Sequence, residues 1–69
     1  MNKETNLGRI RKEKGLSQRE LAERSEVSKR SIEKYEQREK DINRAAVISI
    51  KKLADALGCR IEELIEPEE

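Results

Sequence analysis

The chain has 69 residues, of which 45% are charged and 33% apolar, so it forms one small domain with a thin core at most. It has one cysteine, Cys59, and no histidine, which excludes an intramolecular disulfide and leaves no recognisable nucleophile–base pair or metal cluster. We therefore expect no enzymatic activity. No apolar run reaches transmembrane length and residues 1–6 lack a signal-peptide core, so we predict a cytoplasmic protein.

Charge is distributed unevenly along the chain. Residues 1–60 contain all 16 basic residues and 10 acidic ones, a balance of +6, whereas residues 61–69 contain five glutamates and no basic residue, a balance of −5. A basic body with an acidic tail favours a polyanionic partner for the body. The same counts also fit a solvated surface of mixed charge, and composition alone does not separate the two readings.

The first predicted helix covers about residues 5–14, because Leu7, Ile10 and Arg11 share one face at helical spacing. Gly15 supplies a left-handed residue that ends this helix, and Leu16 follows where a Schellman cap places its apolar contact. Ser17 and Glu20 then form the pattern of a capping box, which opens a second helix over about residues 18–24. Its predicted buried residues are Leu21 and Ala22.

A turn at residues 25–26 separates this helix from the third one, and Val27 is placed to fill the space between them. Ser28 is the predicted N-cap of the third helix, over about residues 29–37, with an inner face of Ile32 and Tyr35. A short turn between two such helices, the second of them basic, is a shape that enters the DNA major groove.

The rest of the chain predicts two more helices and no strand. A polar segment, residues 38–43, leads to a fourth helix over about residues 44–57, and Gly58 ends it. The predicted inner stripe of this helix is Ala46, Ile50, Leu53, Ala54 and Leu57. A last helix over about residues 61–65 buries Ile61, Leu64 and Ile65. We predict an all-α domain over residues 1–66, followed by an acidic tail at residues 67–69.

The outward side of the third helix is polar and mostly basic. With 100° per residue, Glu33, Gln37, Arg30 and Lys34 lie between about 100° and 200° from Ile32, and Lys29 lies at the N-terminal rim. Ser28, Tyr35 and Glu36 fall on the inward side. Arginine and lysine can address guanine, glutamine can pair with adenine, and glutamate can accept from cytosine. The alternative is that Lys29 and Glu33 form an ordinary ion pair on a solvated helix.

Over residues 7–64 the sequence resembles the Cro/C1-type (XRE-like) helix-turn-helix regulators. The matching positions are Arg11, Gly15, Leu16, Ser17, Gln18, Leu21, Ala22, Val27, Ser28, Ser31, Ile32, Tyr35, Glu36, Leu53, Ala54, Leu57, Gly58 and Leu64. The resemblance implies a compact five-helix lambda-repressor-like domain.

The resemblance also implies roles for particular residues. Gln18 would contact the phosphate backbone and nearby bases, whereas Ser28 and Ser31 would cap the recognition helix and touch phosphate or a base edge. Lys29, Arg30, Glu33 and Lys34 match the family's base-reading positions, and the helical wheel adds Gln37 to the same face. Arg11 and Glu36 match a structural ion pair between helices one and three. Lys40 and Arg44 could reach phosphates from the loop.

Two positions depart from the family pattern. Arg38 stands where relatives often have glycine, so a positive φ there would cost on the order of 1 kcal/mol, although the arginine could instead add a cation near the phosphates. Arg60 stands where relatives commonly have a serine or threonine cap, so the last helix is expected to fray.

The resulting prediction is a sequence-specific transcriptional regulator of double-stranded DNA, a repressor that acts as a homodimer on a palindromic operator. Ile48 is a candidate interface residue, because it lies about 140° from Leu53 on the fourth helix. A lone exposed apolar residue is the simpler explanation of Ile48. The alternative function on the same fold is an antitoxin or another protein-interaction module, with a toxin or regulator as partner. No cofactor is expected.

Overall fold

The computed structural model describes residues 4–67, and these fold as five α-helices with one short 3₁₀ turn and no strand. The helices are α1 (Asn6–Glu13), α2 (Gln18–Ser25), α3 (Lys29–Glu36), α4 (Val47–Leu57) and α5 (Ile61–Leu64). The predicted all-α, five-helix class is confirmed. None of these helices has the length and apolar character needed to cross a membrane. The predicted tail at residues 67–69 lies outside the described residues except for Pro67.

Backbone hydrogen bonds at the end of α1 form a complete Schellman cap. The N–H of Leu16 donates to the carbonyl of Arg11 at 3.1 Å, and the N–H of Gly15 donates to the carbonyl of Lys12 at 2.9 Å. Gly15 has φ +73°, a conformation that glycine adopts without the cost that a Cβ adds. The chain therefore reverses direction after α1, and Ser17 lies at the start of α2 as its N-cap residue.

The start of α2 is fixed by the predicted capping box. Ser17 Oγ accepts from the N–H of Glu20 at 3.0 Å, and Glu20 Oε1 accepts from the N–H of Ser17 at 2.8 Å. These two bonds satisfy backbone donors that the first turn of a helix leaves open. The register of α2 is therefore set at its first residue, Gln18.

The core lies where the five helices meet. One side chain from each helix is fully buried, namely Leu7, Leu21, Ile32, Leu53 and Leu64. Burying such a side chain contributes about 1.5–3 kcal/mol, so these five positions carry much of the stability of a small domain. The other apolar residues of the core are Ile10, Leu16, Val27, Ile42, Ile50, Ala54 and Leu57.

The segment before α4 differs from the sequence prediction. A 3₁₀ turn at Ile42–Arg44, opened by Asp41, replaces the predicted first turn of the helix, and α4 begins only at Val47. Helical periodicity predicts Ala46 in the core, but it is the exposed N-cap residue of α4. Ile42, from the segment read as polar loop, is buried in its stead. One apolar side chain among charged neighbours gives no periodic signal, which is why the sequence did not predict this anchor.

Smaller differences concern the other helix ends. Gln37 is the C-cap of α3 rather than its last residue, and Ser25 is the buried last residue of α2 rather than part of the turn. At α5, Glu63 accepts from the N–H of Arg60 at 3.0 Å, but the guanidinium has no acceptor to complete a capping box. This helix covers only Ile61–Leu64.

Candidate nucleic-acid interface

The turn between α2 and α3 depends on a glutamate in a left-handed conformation. Glu26 has φ +64° and ψ +17°, and its N–H donates to the carbonyl of Ala22 at 2.9 Å. Ser25 Oγ accepts from the N–H of Val27 at 3.1 Å, and the Val27 side chain is buried between the helices. These contacts direct the chain from α2 into α3. The sequence placed a turn here but did not identify the positive φ of Glu26.

Two serines fix the start of α3. Ser28 Oγ accepts from the N–H of Ser31 at 3.1 Å and donates to Ser31 Oγ at 3.0 Å. Ser28 is exposed, although its helical position predicted an inward side chain; as the N-cap it precedes the first turn, and no neighbouring helix covers it. The exposed start of α3 therefore presents hydroxyl groups and backbone donors together.

The outward side of α3 carries its basic side chains. Lys29, Arg30 and Gln37 are exposed, whereas Glu33 and Lys34 are partly buried. Lys29 Nζ lies 2.9 Å from Glu33 Oε2, so the predicted alternative, an ion pair between these residues, is present in the structure. Among residues 4–67, no carboxylate forms a salt bridge with Arg30 or with Lys34.

Arg11 and Glu36 form a nearly buried ion pair between α1 and α3. Nε of Arg11 donates to Glu36 Oε2 at 2.7 Å and Nη2 donates to Oε1 at 2.9 Å, with the two side chains 11% and 12% exposed. Nη1 of Arg11 also donates to the carbonyl of Leu16 at 2.8 Å. The hydrogen bond with Glu36 raises the pKa of Arg11, so this contact favours the charged guanidinium.

The same carboxylate holds Gln18 at the start of α2. Gln18 Nε2 donates to Glu36 Oε1 at 3.1 Å, which joins the first residue of α2 to the last residue of α3. An amide nitrogen carries two hydrogens, so one remains for a second acceptor. The Gln18 side chain is therefore held at a helix N-terminus, where a phosphate is favoured by the helix dipole and by open backbone donors.

Gly8 belongs to this cluster, and the sequence did not predict its role. A Cβ at Gly8 would lie 3.2 Å from Thr5 Oγ1 and 3.4 Å from Glu36 Oε1. The hydrogen on the glycine leaves room for the carboxylate to sit against α1. A glycine inside a predicted helix is a signal of close approach, since it otherwise costs stability relative to alanine.

The loop after α3 carries three more cations. Arg38 has φ +63°, the conformation that the glycine of related sequences predicts, and Nη1 lies 3.4 Å from Glu66 Oε1. Lys40 Nζ lies 6.0 Å from the centre of the Tyr35 ring. Arg44 is exposed in the 3₁₀ turn, with Nε 3.6 Å from a carboxylate oxygen of Asp41.

These residues form several separate pairs and clusters rather than one continuous network. Hydrogen bonds connect Arg11, Gln18 and Glu36, and others connect Ser28 with Ser31 and Lys29 with Glu33. Arg38 and Arg44 instead contact acidic residues of the loop and of the C-terminal segment. Within residues 4–67, no group of three Asp, Glu or Cys side chains is arranged to hold a metal ion. The arrangement offers donors and cations, which suits binding of a polyanion.

A family model described as helix-turn-helix matches residues 7–64, which include all five helices except the first residue of α1. No curated protein and no solved structure matches the chain.

Proposed function

This chain belongs to the Cro/C1-type helix-turn-helix family, and from that membership we propose that it is a transcriptional repressor that binds a palindromic operator as a homodimer. In this proposal α3 enters the major groove, and the start of α2 and the loop after α3 contact the sugar–phosphate backbone. The protein acts in the cytoplasm, on chromosomal or other double-stranded DNA.

The observation that carries the proposal is the pair of unpaired cations on α3. Arg30 and Lys34 are four residues apart on one helix face, where like charges cost roughly 0.2–0.5 kcal/mol in an isolated helix. A phosphate backbone and the acceptor groups of guanine would turn this repulsion into attraction. The internal ion pairs of the domain leave these two cations available for such a partner.

Glu33 gives the face a way to discriminate among bases. It can accept from cytosine, whereas Lys29, its partner at 2.9 Å, can donate to guanine. Separating the pair costs little because exposed salt bridges contribute about 0–1 kcal/mol. Both residues can therefore exchange their mutual contact for contacts with a base pair.

The homodimer is supported by two neighbouring apolar side chains at the start of α4. Val47 is 72% exposed and Ile48 is 62% exposed, and they are the exposed large apolar residues of the described chain. Ile48 was predicted to be exposed from its position on α4, whereas Val47 was not singled out. Two-fold pairing of this patch would bury both residues against their copies and would match the symmetry of a palindromic site.

The direct test removes the two cations and measures binding to duplex DNA as a function of salt. Because the proposal assigns both cations to base reading, replacing Arg30 and Lys34 by alanine together should lower operator affinity by about 1–3 kcal/mol for each lost base contact, with a small change in the slope of log K against log salt. A slope that flattens by about 2 would instead assign both cations to phosphates, since each phosphate contact contributes about 0.9.

The matched control replaces Lys51 and Lys52, which form salt bridges with Asp55 and Glu26, so that the net charge changes equally. DNA affinity that is equal in the two double variants would contradict the assignment to α3. Unchanged DNA binding together with loss of a protein partner would favour an antitoxin-like interaction module instead.

A further inference from the structure

The segment that follows α5 is fastened to the domain by several hydrogen bonds. We call residues 65–66 the strap. Glu66 Oε2 accepts from the N–H of Asn6 at 2.6 Å, and the carbonyl of Ile65 accepts from Asn6 Nδ2 at 2.9 Å. Both bonds join residues about sixty positions apart, so the strap ties the end of the described chain to the first residue of α1.

The other side of the strap holds the loop between α3 and α4. Asn43 Oδ1 accepts from the N–H of Glu66 at 2.8 Å, and Asn43 Nδ2 donates to the carbonyl of Glu66 at 2.7 Å. One side-chain amide thus pairs with both backbone groups of Glu66, in the manner of a neighbouring β-strand. The Glu66 carboxylate also lies 3.4 Å from Arg38 Nη1.

Asn43 is the middle residue of the 3₁₀ turn, and the loop is fixed at this point in two further ways. Asp41 Oδ1 accepts from the N–H of Asn43 at 2.9 Å, and the side chain of Ile42 is buried in the core. The basic residues Lys40 and Arg44 flank these anchors and are exposed. The loop between α3 and α4 is therefore held in one conformation by contacts at its centre.

We propose that Asn43, through its paired hydrogen bonds with the strap, is a positioning residue for DNA binding. It holds the loop so that Arg38, Lys40 and Arg44 face the phosphate backbone while α3 occupies the groove. This inference rests on the proposed function. Glu66 supplies the backbone groups that Asn43 binds, and its carboxylate orients Arg38. The acidic C-terminal segment thus contributes to DNA binding, although its charge alone would oppose it.

The physical reason is preorganisation. A flexible loop would have to lose backbone and side-chain entropy when its cations meet phosphates, at about 0.5–1.5 kcal/mol for each immobilised long side chain. Contacts made within the free protein remove part of that cost before DNA arrives. Without the bonds from Asn43, the 3₁₀ turn keeps its buried Ile42 but loses its connection to residues 65–66.

The experiment measures binding to a short fluorescein-labelled duplex of random sequence, because phosphate contacts do not depend on base sequence. It compares Asn43→Ala with a loop variant in which Arg38, Lys40 and Arg44 are replaced by alanine. A stability control is Ala56→Gly, within α4, which should cost about 1 kcal/mol through helix propensity, in addition to the lost contact of a partly buried methyl group. All measurements are made well below the thermal midpoint of each variant.

The loop variant should reduce the magnitude of the slope of log K against log salt by about 2–3. For each lost phosphate contact, the affinity loss between 50 and 200 mM salt should become about 3.5-fold smaller. Asn43→Ala should shift the slope in the same direction. In the background of the loop variant it should have no further effect on binding, although it still lowers the thermal midpoint. Ala56→Gly should lower the midpoint and leave the slope unchanged.

Asn43→Ala with wild-type affinity and slope would overturn the inference, and so would an effect that adds fully to that of the loop variant. If Asn43→Ala does not fold, Asn6→Ala tests the strap from its other end, and it should weaken duplex binding without altering the loop sequence. A loop variant that binds like wild type would also overturn the inference, while leaving the assignment of α3 intact. Wild-type protein with no salt-dependent binding would refute the proposed function itself.

Discussion

Gln18 donates a 3.1 Å hydrogen bond to the carboxylate of Glu36, the same group that binds the Arg11 guanidinium through two hydrogen bonds. Glu36 thereby links a nearly buried ion pair to a residue that we assign to the DNA backbone. The start of α2 and the end of α3 are connected through one side chain. This contact adds to the turn and the core packing that set their relative position, on which docking of a helix-turn-helix motif depends.

Replacing Glu36 by glutamine should destabilise the fold by about 2–3 kcal/mol, because it leaves the Arg11 charge nearly buried without a counter-charge. Urea unfolding followed by circular dichroism measures the change. The matched control is Glu33→Gln on the same helix, where the partner Lys29 is exposed and the pair contributes less than about 1 kcal/mol. Equal destabilisation by the two substitutions would contradict the structural role of the Arg11–Glu36 pair.

The capping box of α2 should make stability depend on acid pH. The hydrogen bond from the N–H of Ser17, followed by the one with its side chain, lowers the pKa of Glu20. A carboxyl whose pKa is lower in the folded state stabilises the fold above its unfolded pKa, and this contribution is lost as pH falls through the folded value. The difference in unfolding free energy between wild type and Glu20→Gln should therefore shrink on acidification. A difference that stays constant from neutral to acid pH would contradict this account.

Local signatures allowed much of the fold to be predicted from sequence. Gly15 and the Ser17–Glu20 pair act through backbone hydrogen bonds within a few residues, so their spacing alone indicates where α1 ends and α2 begins. The Arg11–Glu36 contact spans 25 positions, and it was expected only because the chain resembles a known family.

Other features depend on tertiary contacts that leave no pattern in the sequence. Ile42 is a single apolar residue in a charged segment, and it is buried because the fold of the loop places it against the core. Glu66 belongs to the acidic segment of residues 61–69, for which the sequence predicts no internal contact, whereas it binds Asn6, Arg38 and Asn43 within the domain. Neither a periodicity nor a capping motif predicts such contacts.

Glu26 should be replaceable by glycine with a gain in stability. Its φ of +64° costs an L-residue roughly 1 kcal/mol, and its side chain is largely exposed, with one long contact of 4.0 Å to Lys52. Glu26→Gly should therefore be more stable than Glu26→Ala by about 1 kcal/mol, since both remove the side chain and only glycine relieves the backbone. Thermal unfolding of the two variants measures this difference. An alanine variant as stable as the glycine one would contradict the strained turn.

Replacing Val47 and Ile48 by serine should weaken self-association while leaving the fold intact. Both side chains are exposed in the first turn of α4 and belong to no side-chain cap, so each substitution should change stability by about 0.5 kcal/mol or less and the monomer should keep its helices. Sedimentation velocity over a range of concentrations should show a dimer for wild type and a shift toward monomer for the variant. Lys51→Ser, on the same helix, serves as the control. A variant that dimerises as strongly as wild type would place the interface elsewhere.

The central claim, that α3 reads a specific operator, is tested most directly by in vitro selection from random duplex DNA at moderate salt. We expect enrichment of a palindrome with half-site centres about 10–10.5 base pairs apart or a multiple of that spacing, in keeping with two recognition helices on one face of the duplex. The enriched site should lose its advantage when Arg30 and Lys34 are replaced by alanine. Folded protein that enriches no sequence, or enriches the same one without these two side chains, would contradict the account.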